Sequence, residues 1–403
     1  MEKNVKFQEW PIWDTEEENA IMDVLRSGKW WAGAPKNHAG EQTWAFQEEF
    51  AQFNDSKYCF ACTNGTHAIE IVLMAMGIGL GDEVIVSSWT FVASASAVIA
   101  ANAVPIFCDV DPETFLIDPN KIEKLITPKT KAIVAVHLGG MPCDMVRIMG
   151  IAKKYNLKVI EDCAHAHGSK YKGKRVGNWG DAGTFSFQAS KILTAGEGGA
   201  IVCNDDELAK HIYEILDCGR HPGEYFYAHY TFGSNYRLGE FNSAILRCQL
   251  KKFAAQHEKR NKNAKKLIEK LNAIDGIKCQ KRGPEVDECG NYVFPVYFDP
   301  NKFGGITYKE MYKELRAASV IVDDTYPPLH TLDCFKFMKG KPGIDYSNAN
   351  WGGKKSELGN FPVVEELYQH SFELGQEVLL SDDEAIDFVV EVVKNIQKKF
   401  AKN

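Results

Sequence analysis

Between Tyr58 and Val202 short apolar runs alternate with longer segments in which apolar residues recur every three and four positions. The short runs have the character of buried strands and the longer ones of helices. Strands are predicted at Tyr58–Cys62, Glu83–Val86, Pro105–Cys108, Ala132–His137, Lys158–Glu161, Thr184–Phe187 and Ala200–Cys203. Helices are predicted at Thr66–Met76, Phe91–Ala101, Asn120–Leu125 and Met145–Tyr155. This alternation predicts a parallel sheet covered on both faces, which is why most of its strands are apolar throughout. Ligands of such sheets bind beyond the carboxyl ends of the strands.

After Glu240 the pattern changes to a long charged helix through Leu271, then to mixed segments that include Tyr292–Phe298, Met311–Ala317 and Ile386–Lys398. A length of 403 residues suits two packed domains. The expectation is an α/β protein with a large, mostly parallel sheet domain over residues 1–250 and a smaller C-terminal α/β domain over 251–403. The stretch from Lys336 to Gly359, rich in Gly, Lys, Asn and Asp, reads as an irregular surface excursion.

Composition narrows the function classes. Hydrophobic residues make up 45% and charged residues 25%, which excludes disorder and fibrous architectures. The net charge of -7 argues against a general nucleic-acid binder. Lys259, Arg260, Lys262, Lys265 and Lys266 form the one dense basic cluster, read as a solvated helix face. Eleven scattered cysteines do not make a disulfide scaffold, and the CxxC of Cys59 and Cys62 lies in an apolar run as core residues would. With no apolar leader and no run long enough to span a bilayer, the expectation is a cytoplasmic protein without a membrane partner.

Five places are candidates for chemistry. Thr63-Asn64-Gly65-Thr66 lies between a strand and a helix, where backbone amides either hold a phosphate or are simply capped. By contrast, Gly77-Ile78-Gly79-Leu80-Gly81 follows a helix and reads as a C-cap and turn. Asp162 ends the run Lys158–Glu161, so its carboxylate either pairs with a protonated heterocyclic nitrogen at the sheet rim or caps the next helix. Cys163, His165 and His167 follow, but no matching ligand spacing elsewhere supports a metal. Lys191 sits in a loop between two apolar strands, after Gly183-Thr184-Phe185-Ser186-Phe187-Gln188-Ala189-Ser190 and before Gly196-Glu197-Gly198-Gly199. A desolvated lysine there can form an imine with a bound aldehyde.

Taken in order, Asn64-Gly65-Thr66, Thr90-Phe91, Glu161-Asp162-Cys163-Ala164-His165, Phe185-Ser186-Phe187 to Lys191, Gly196-Glu197-Gly198-Gly199 and Asn235-Tyr236-Arg237 resemble the DegT/DnrJ/StrS aminotransferases. The resemblance runs from about Val24 to the end of the chain and implies the aspartate-aminotransferase fold with pyridoxal 5'-phosphate as cofactor. It implies that Lys191 carries the cofactor and shuttles a proton, that Asp162 binds the pyridine nitrogen and that Phe91 stacks on the ring. Gly65, Thr66 and Ser186 would hold the phosphate, and Asn235 would reach it from the neighbouring subunit of a homodimer. The implied reaction moves an amino group from glutamate or glutamine to a keto-sugar or keto-cyclitol.

The sequence departs from the family pattern at two positions. His165 stands where the family often has Gln, beside the cofactor's 3-oxygen, and Gln188 stands where nucleotide-sugar members often carry His. The second resembles the branch that aminates cyclitols or makes aminohydroxybenzoate. Trp30-Trp31 and the segment from Gly33 to Gln42 fit either a substrate mouth or plain aromatic packing. Arg220, His221, Arg237 and Lys339 are charged candidates for substrate contact. Two rival readings are a sugar dehydratase, in which a His replaces the lysine, and a cofactor-binding protein without turnover. Lys191 counts against the first, and the set of Asp162, Lys191 and Asn235 counts against the second.

Overall fold

The computed structural model describes residues 5–32, 40–221, 224–336, 341–351 and 359–401. Seven strands form the main sheet, in the spatial order Tyr58–Cys62, Gly199–Cys203, Ala182–Ser186, Lys158–Asp162, Thr130–Val136, Glu83–Ser87 and Val104–Cys108. Most are buried along their whole length, as strands covered on both faces must be. The core they share with the helices is built from residues such as Ile71, Val84, Ile133, Ile148 and Ile160.

All neighbours from Ala182–Ser186 to Val104–Cys108 pair in parallel, whereas Gly199–Cys203 runs antiparallel to both of its neighbours. The sheet is thus mostly parallel, and the exception has a local cause. Residues 187–198 contain no helix, so no crossover returns the chain to the starting edge, and a short connection can join only an antiparallel partner. That connection carries Lys191.

The helices are close to those expected: Gly65–Ala75, Ala93–Ala100 and Met145–Tyr155. Asn120–Leu125 is instead one α-turn, Pro119–Ile122, followed by a 3-10 turn. Gly77, at φ 71°, ends its helix in the left-handed conformation of a C-cap turn.

The helix Glu240–Asn272 runs unbroken between two hydrophobic clusters. Leu246 and Phe253 pack with Phe46, Phe50 and Phe187, and Ala264, Leu267 and Leu271 pack with the C-terminal sheet. That sheet has the order Ile277–Cys279, Val293–Phe298, Ser371–Gly375 and Val322–Asp323, all antiparallel.

Two expectations are corrected here. Arg260 is not on a solvated face: its side chain is fully buried against Phe253, because the helix is covered there by the C-terminal segment that contains Gln376. Nor is the stretch from Lys336 to Gly359 wholly a surface excursion. Within its described part, Asn350 donates to and accepts from the backbone of Phe107, at 2.7 and 2.9 Å, and Trp351 Nε1 donates to the Pro105 carbonyl at 2.7 Å. These bonds satisfy the open edge of strand Val104–Cys108, an edge that would otherwise be free to pair with another chain.

Candidate active site

Three neighbouring parallel strands end at Val136, Asp162 and Ser186, and a cavity of about 650 Å³ opens where they stop. The chain just after two more strands adds Asn64 with the helix start Gly65 and Thr66 on one side, and Thr90 and Phe91 on the other. The site therefore lies at the carboxyl ends of the sheet.

Asp162 is buried in the wall. Its carboxylate accepts from Ser94 Oγ at 2.7 Å and from the Ala164 amide at 3.1 Å. Two fixed donors hold an acceptor-only group in place and leave it lone pairs for a third. His137 N–H also bonds the Asp162 carbonyl at 3.1 Å, joining the ends of adjacent strands.

The Lys191 loop is tied down by its own backbone. Lys191 N–H donates to the Gln188 carbonyl, and the Thr194 hydroxyl spans the Phe187 and Gln188 carbonyls. The amine lies 3.9 Å from the centroid of the Tyr292 ring. Burial pushes its pKa down to about 7, against the opposing charges of Asp162 and Asp323. A lysine so placed presents a large fraction of neutral, nucleophilic amine near neutral pH.

On the other side, Asn64 caps the helix Gly65–Ala75, its Oδ1 accepting from His67 N–H at 2.8 Å. The first amides of this helix have no partner within it and favour an anion. Gly65 is required by proximity, since a Cβ there would lie 2.8 Å from Ser186 Cβ. The cap and anion readings of this segment are thus compatible, because Asn64 does the capping while Gly65, Thr66 and Ser186 line the cavity.

His165 also lines the cavity, with Nδ1 accepting from Gly139 N–H at 3.3 Å and Nε2 at 3.4 Å from the Tyr326 hydroxyl. Burial, with the charge of Lys191, holds its pKa well below the usual histidine range. It is therefore a neutral imidazole with its hydrogen on Nε2. Phe91 stands at the rim, half exposed, with its ring 5.8 Å from that of Tyr326. Cys163, by contrast, turns toward His137 and Glu161, and His167 is buried between the Phe185 and Phe187 rings.

Asn235 does not line its own chain's cavity; it is exposed and bridges to Asp217. Arg220 and Arg237 both pair with Asp217, and His221 pairs with Glu214. None of the three lines the cavity. Trp30 and Trp31 are partly exposed beside Phe241 and Phe226 rather than in a core or in the cavity wall. Lys339 and residues 33–39 lie outside the described residues.

Sequence reasoning missed Ser94, His67, Tyr292 and Tyr326 as lining residues. Ser94 carried a faint signal, one helical turn after Thr90. The two tyrosines come from distant segments and carried none.

The residues present fit pyridoxal 5'-phosphate. A carboxylate with spare lone pairs suits a pyridinium N–H, a depressed amine suits an aldehyde, and a helix start whose glycine has no room for a Cβ suits a phosphate. Comparison with known proteins agrees. The sequence profile of the DegT/DnrJ/EryC1/StrS aminotransferase family matches residues 11–392. An L-glutamine:2-deoxy-scyllo-inosose aminotransferase of Micromonospora echinospora is 34% identical, over 99% of this chain and 96% of its own. A 3-amino-5-hydroxybenzoate synthase of Amycolatopsis mediterranei is 38% identical over 72% of this chain and 74% of its own. The crystal structure of a 3-amino-5-hydroxybenzoic acid synthase superposes with a TM-score of 0.87 at 30% identity, covering 98% of this chain and 99% of the other. With the site's chemistry and this similarity along nearly the whole chain, the protein belongs to the DegT/DnrJ/EryC1/StrS family and is a pyridoxal-phosphate-dependent aminotransferase.

Proposed function

We propose that this enzyme moves the amino group of L-glutamine or L-glutamate to a keto-cyclitol, as a cytoplasmic homodimer. The observation that carries the acceptor class is the character of the cavity wall. Among the described residues its only carboxylates are Asp162 and Glu197, its only amine is that of Lys191, and no arginine lines it. Gln188, Ser190, Tyr292 and Tyr326 offer hydroxyl and amide groups suited to a neutral polyhydroxylated ring. The relatives named for 2-deoxy-scyllo-inosose support the same class and favour glutamine as the donor.

Bound pyridoxal phosphate supplies an electron sink for ionising the bond next to the transferred nitrogen. The chain's own groups do the rest. Asp162 keeps the ring nitrogen protonated, and Gly65, Thr66 and Ser186 hold the phosphate. Phe91 covers one ring face from the rim. His165, as a fixed Nε2–H donor, serves the 3-oxygen. Lys191 anchors the cofactor and, once displaced, moves a proton to and from the substrate carbon in both halves of the reaction. Asn235, exposed on its own chain, completes the phosphate site of a second copy.

The test is incubation of cofactor-loaded protein with L-glutamine and 2-deoxy-scyllo-inosose, with product detection by mass spectrometry. Formation of the amino-cyclitol supports the proposal. Turnover only with a carboxylated cyclic ketone would favour the second reading, a benzoate-forming enzyme, to which the 3-amino-5-hydroxybenzoic acid synthase structure points.

A further inference from the structure

Arg260 is fully buried, and among the described residues its guanidinium makes a single hydrogen bond, from Nη1 to Gln376 Oε1 at 3.4 Å. Its Nε and Nη2 have no partner among the described residues. A buried charge so poorly compensated is a weak device for stability, and its presence calls for another explanation. The other end of the Gln376 carboxamide supplies one. Gln376 Nε2 donates to the Ser190 carbonyl at 2.7 Å, and that carbonyl belongs to the peptide bond leading into Lys191.

The two contacts together admit one orientation of the carboxamide. A guanidinium only donates and a carbonyl only accepts, so Oε1 must face Arg260 and Nε2 must face Ser190. A flipped amide would set donor against donor and acceptor against acceptor. Gln376 itself is buried and held close to the long helix, because Asn263 Nδ2 donates to the Leu379 and Ser381 carbonyls at 2.9 and 3.0 Å. The peptide before Lys191 is thereby held on both edges, its carbonyl by Gln376 and its N–H by the Gln188 carbonyl at 2.8 Å.

We propose that Gln376 is a positioning residue for Lys191, with its carboxamide oriented by Arg260 so that it anchors the Ser190 carbonyl and aims the lysine into the cavity. The relay joins the long helix and the C-terminal segment to the reacting amine without touching it. It deepens the reading of Lys191 as the cofactor's anchor and rests on that reading.

The experiment uses cofactor-loaded enzyme carrying Gln376→Met or Gln376→Glu. Methionine keeps the volume but neither contact; glutamate keeps the contact to Arg260 but cannot donate to Ser190 when ionised. Both variants should hold cofactor, lose about tenfold in kcat with KM little changed, and move the pH midpoint of the cofactor's visible band. Soluble, loaded variants with the wild-type midpoint and wild-type kcat would overturn the proposal. Should neither variant fold, a neutron structure of the wild-type protein decides: deuterium on Gln376 pointing to the Ser190 carbonyl supports the relay, and deuterium pointing to Arg260 overturns it. Failure of the underlying reading has a separate signature. Borohydride reduction of the loaded wild type, followed by peptide mapping, would then place the pyridoxyl group on a residue other than Lys191.

Discussion

The Lys191 amine sits 3.9 Å from the centroid of the Tyr292 ring, while the Tyr292 hydroxyl meets Ser190 Oγ at 2.7 Å. One aromatic side chain from the C-terminal half thus braces both the reacting lysine and the residue before it. The ring face would attract an ammonium, yet desolvation is the larger effect on this group and the amine's pKa falls to about 7. Tyr292 therefore packs against an amine that is largely neutral above that pH.

A pH dependence follows. Capture of pyridoxal phosphate by cofactor-free protein requires the neutral amine, so its rate should rise through about pH 7 and level off above pH 8. Stopped-flow absorbance across pH 5.5 to 9 checks this, and a rate that keeps climbing toward pH 10 would mean an ordinary lysine. The sign for stability is opposite to that of an ion-paired lysine. The fold disfavours the ammonium, so the penalty is fully present below about pH 7 and fades as pH rises toward the unfolded value of 10.5. Lys191→Met should accordingly stabilise cofactor-free protein at pH 6, by on the order of 5 kcal/mol, and much less at pH 10.

Asp162→Asn keeps the shape of the side chain: its oxygen can still accept from the Ala164 amide while its amide nitrogen donates to Ser94 Oγ, but the charge facing the cavity is removed. The variant should fold and bind cofactor while kcat falls by about 10²-fold or more. Steady-state kinetics on protein of measured cofactor content tests this, and a loss of less than about tenfold would remove Asp162 from its assigned role.

Gly65→Ala tests the phosphate cradle. A methyl group 2.8 Å from Ser186 Cβ must push the helix start away from the strand end, and overpacking of this kind costs about 1–3 kcal/mol. Because both displaced elements line the cofactor site, much of that loss should appear as weaker cofactor binding, about tenfold in Kd, read by equilibrium dialysis. Unchanged affinity would show that the helix start does not hold the phosphate.

The sheet and the lysine loop were legible because their signals are local. Each buried strand is a continuous apolar run, and the stretch Phe185-Ser186-Phe187 to Gly199 holds strand end, lysine and glycine turn in one segment. The direction of Gly199–Cys203 was not legible from apolar pattern alone, although the absence of a helix between residues 187 and 198 could have given it. Arg260 looked solvated because charge density along a helix says nothing about what packs on it from residue 376. Asn350 and Trp351 looked like loop because their partners, Phe107 and Pro105, lie more than 240 positions away. Tyr292 and Tyr326 share this cause: no pattern within their own segments reports that they face the cavity.

That edge cover makes a stability prediction. Trp351 is buried against Phe107, Phe335 and Tyr346 and bonds the Pro105 carbonyl. Trp351→Ala should cost about 3–5 kcal/mol and also expose part of the edge of strand Val104–Cys108, so that loss of stability is accompanied by association. Urea unfolding gives the first and light scattering the second. A variant as stable as the wild type would return this stretch to the status of a surface excursion.

The last prediction separates a shared site from a self-contained one. Asn235 is exposed and absent from its own chain's cavity, so the proposed role requires it to act on a second copy. Homodimers of Lys191→Ala should be inactive and those of Asn235→Ala impaired. In a mixed dimer, one site has lost both residues, while the other has its own Lys191 and receives an intact Asn235 from the partner. Random re-association of equal amounts makes half of the dimers mixed, each with one restored site, so activity should recover to about a quarter of the wild-type value. If Asn235 served its own chain, every site in the mixed dimer would carry one lesion and mixing would restore nothing. Cofactor content measured before and after mixing distinguishes this outcome from a failure to exchange subunits, since the restored sites should also regain tight cofactor binding.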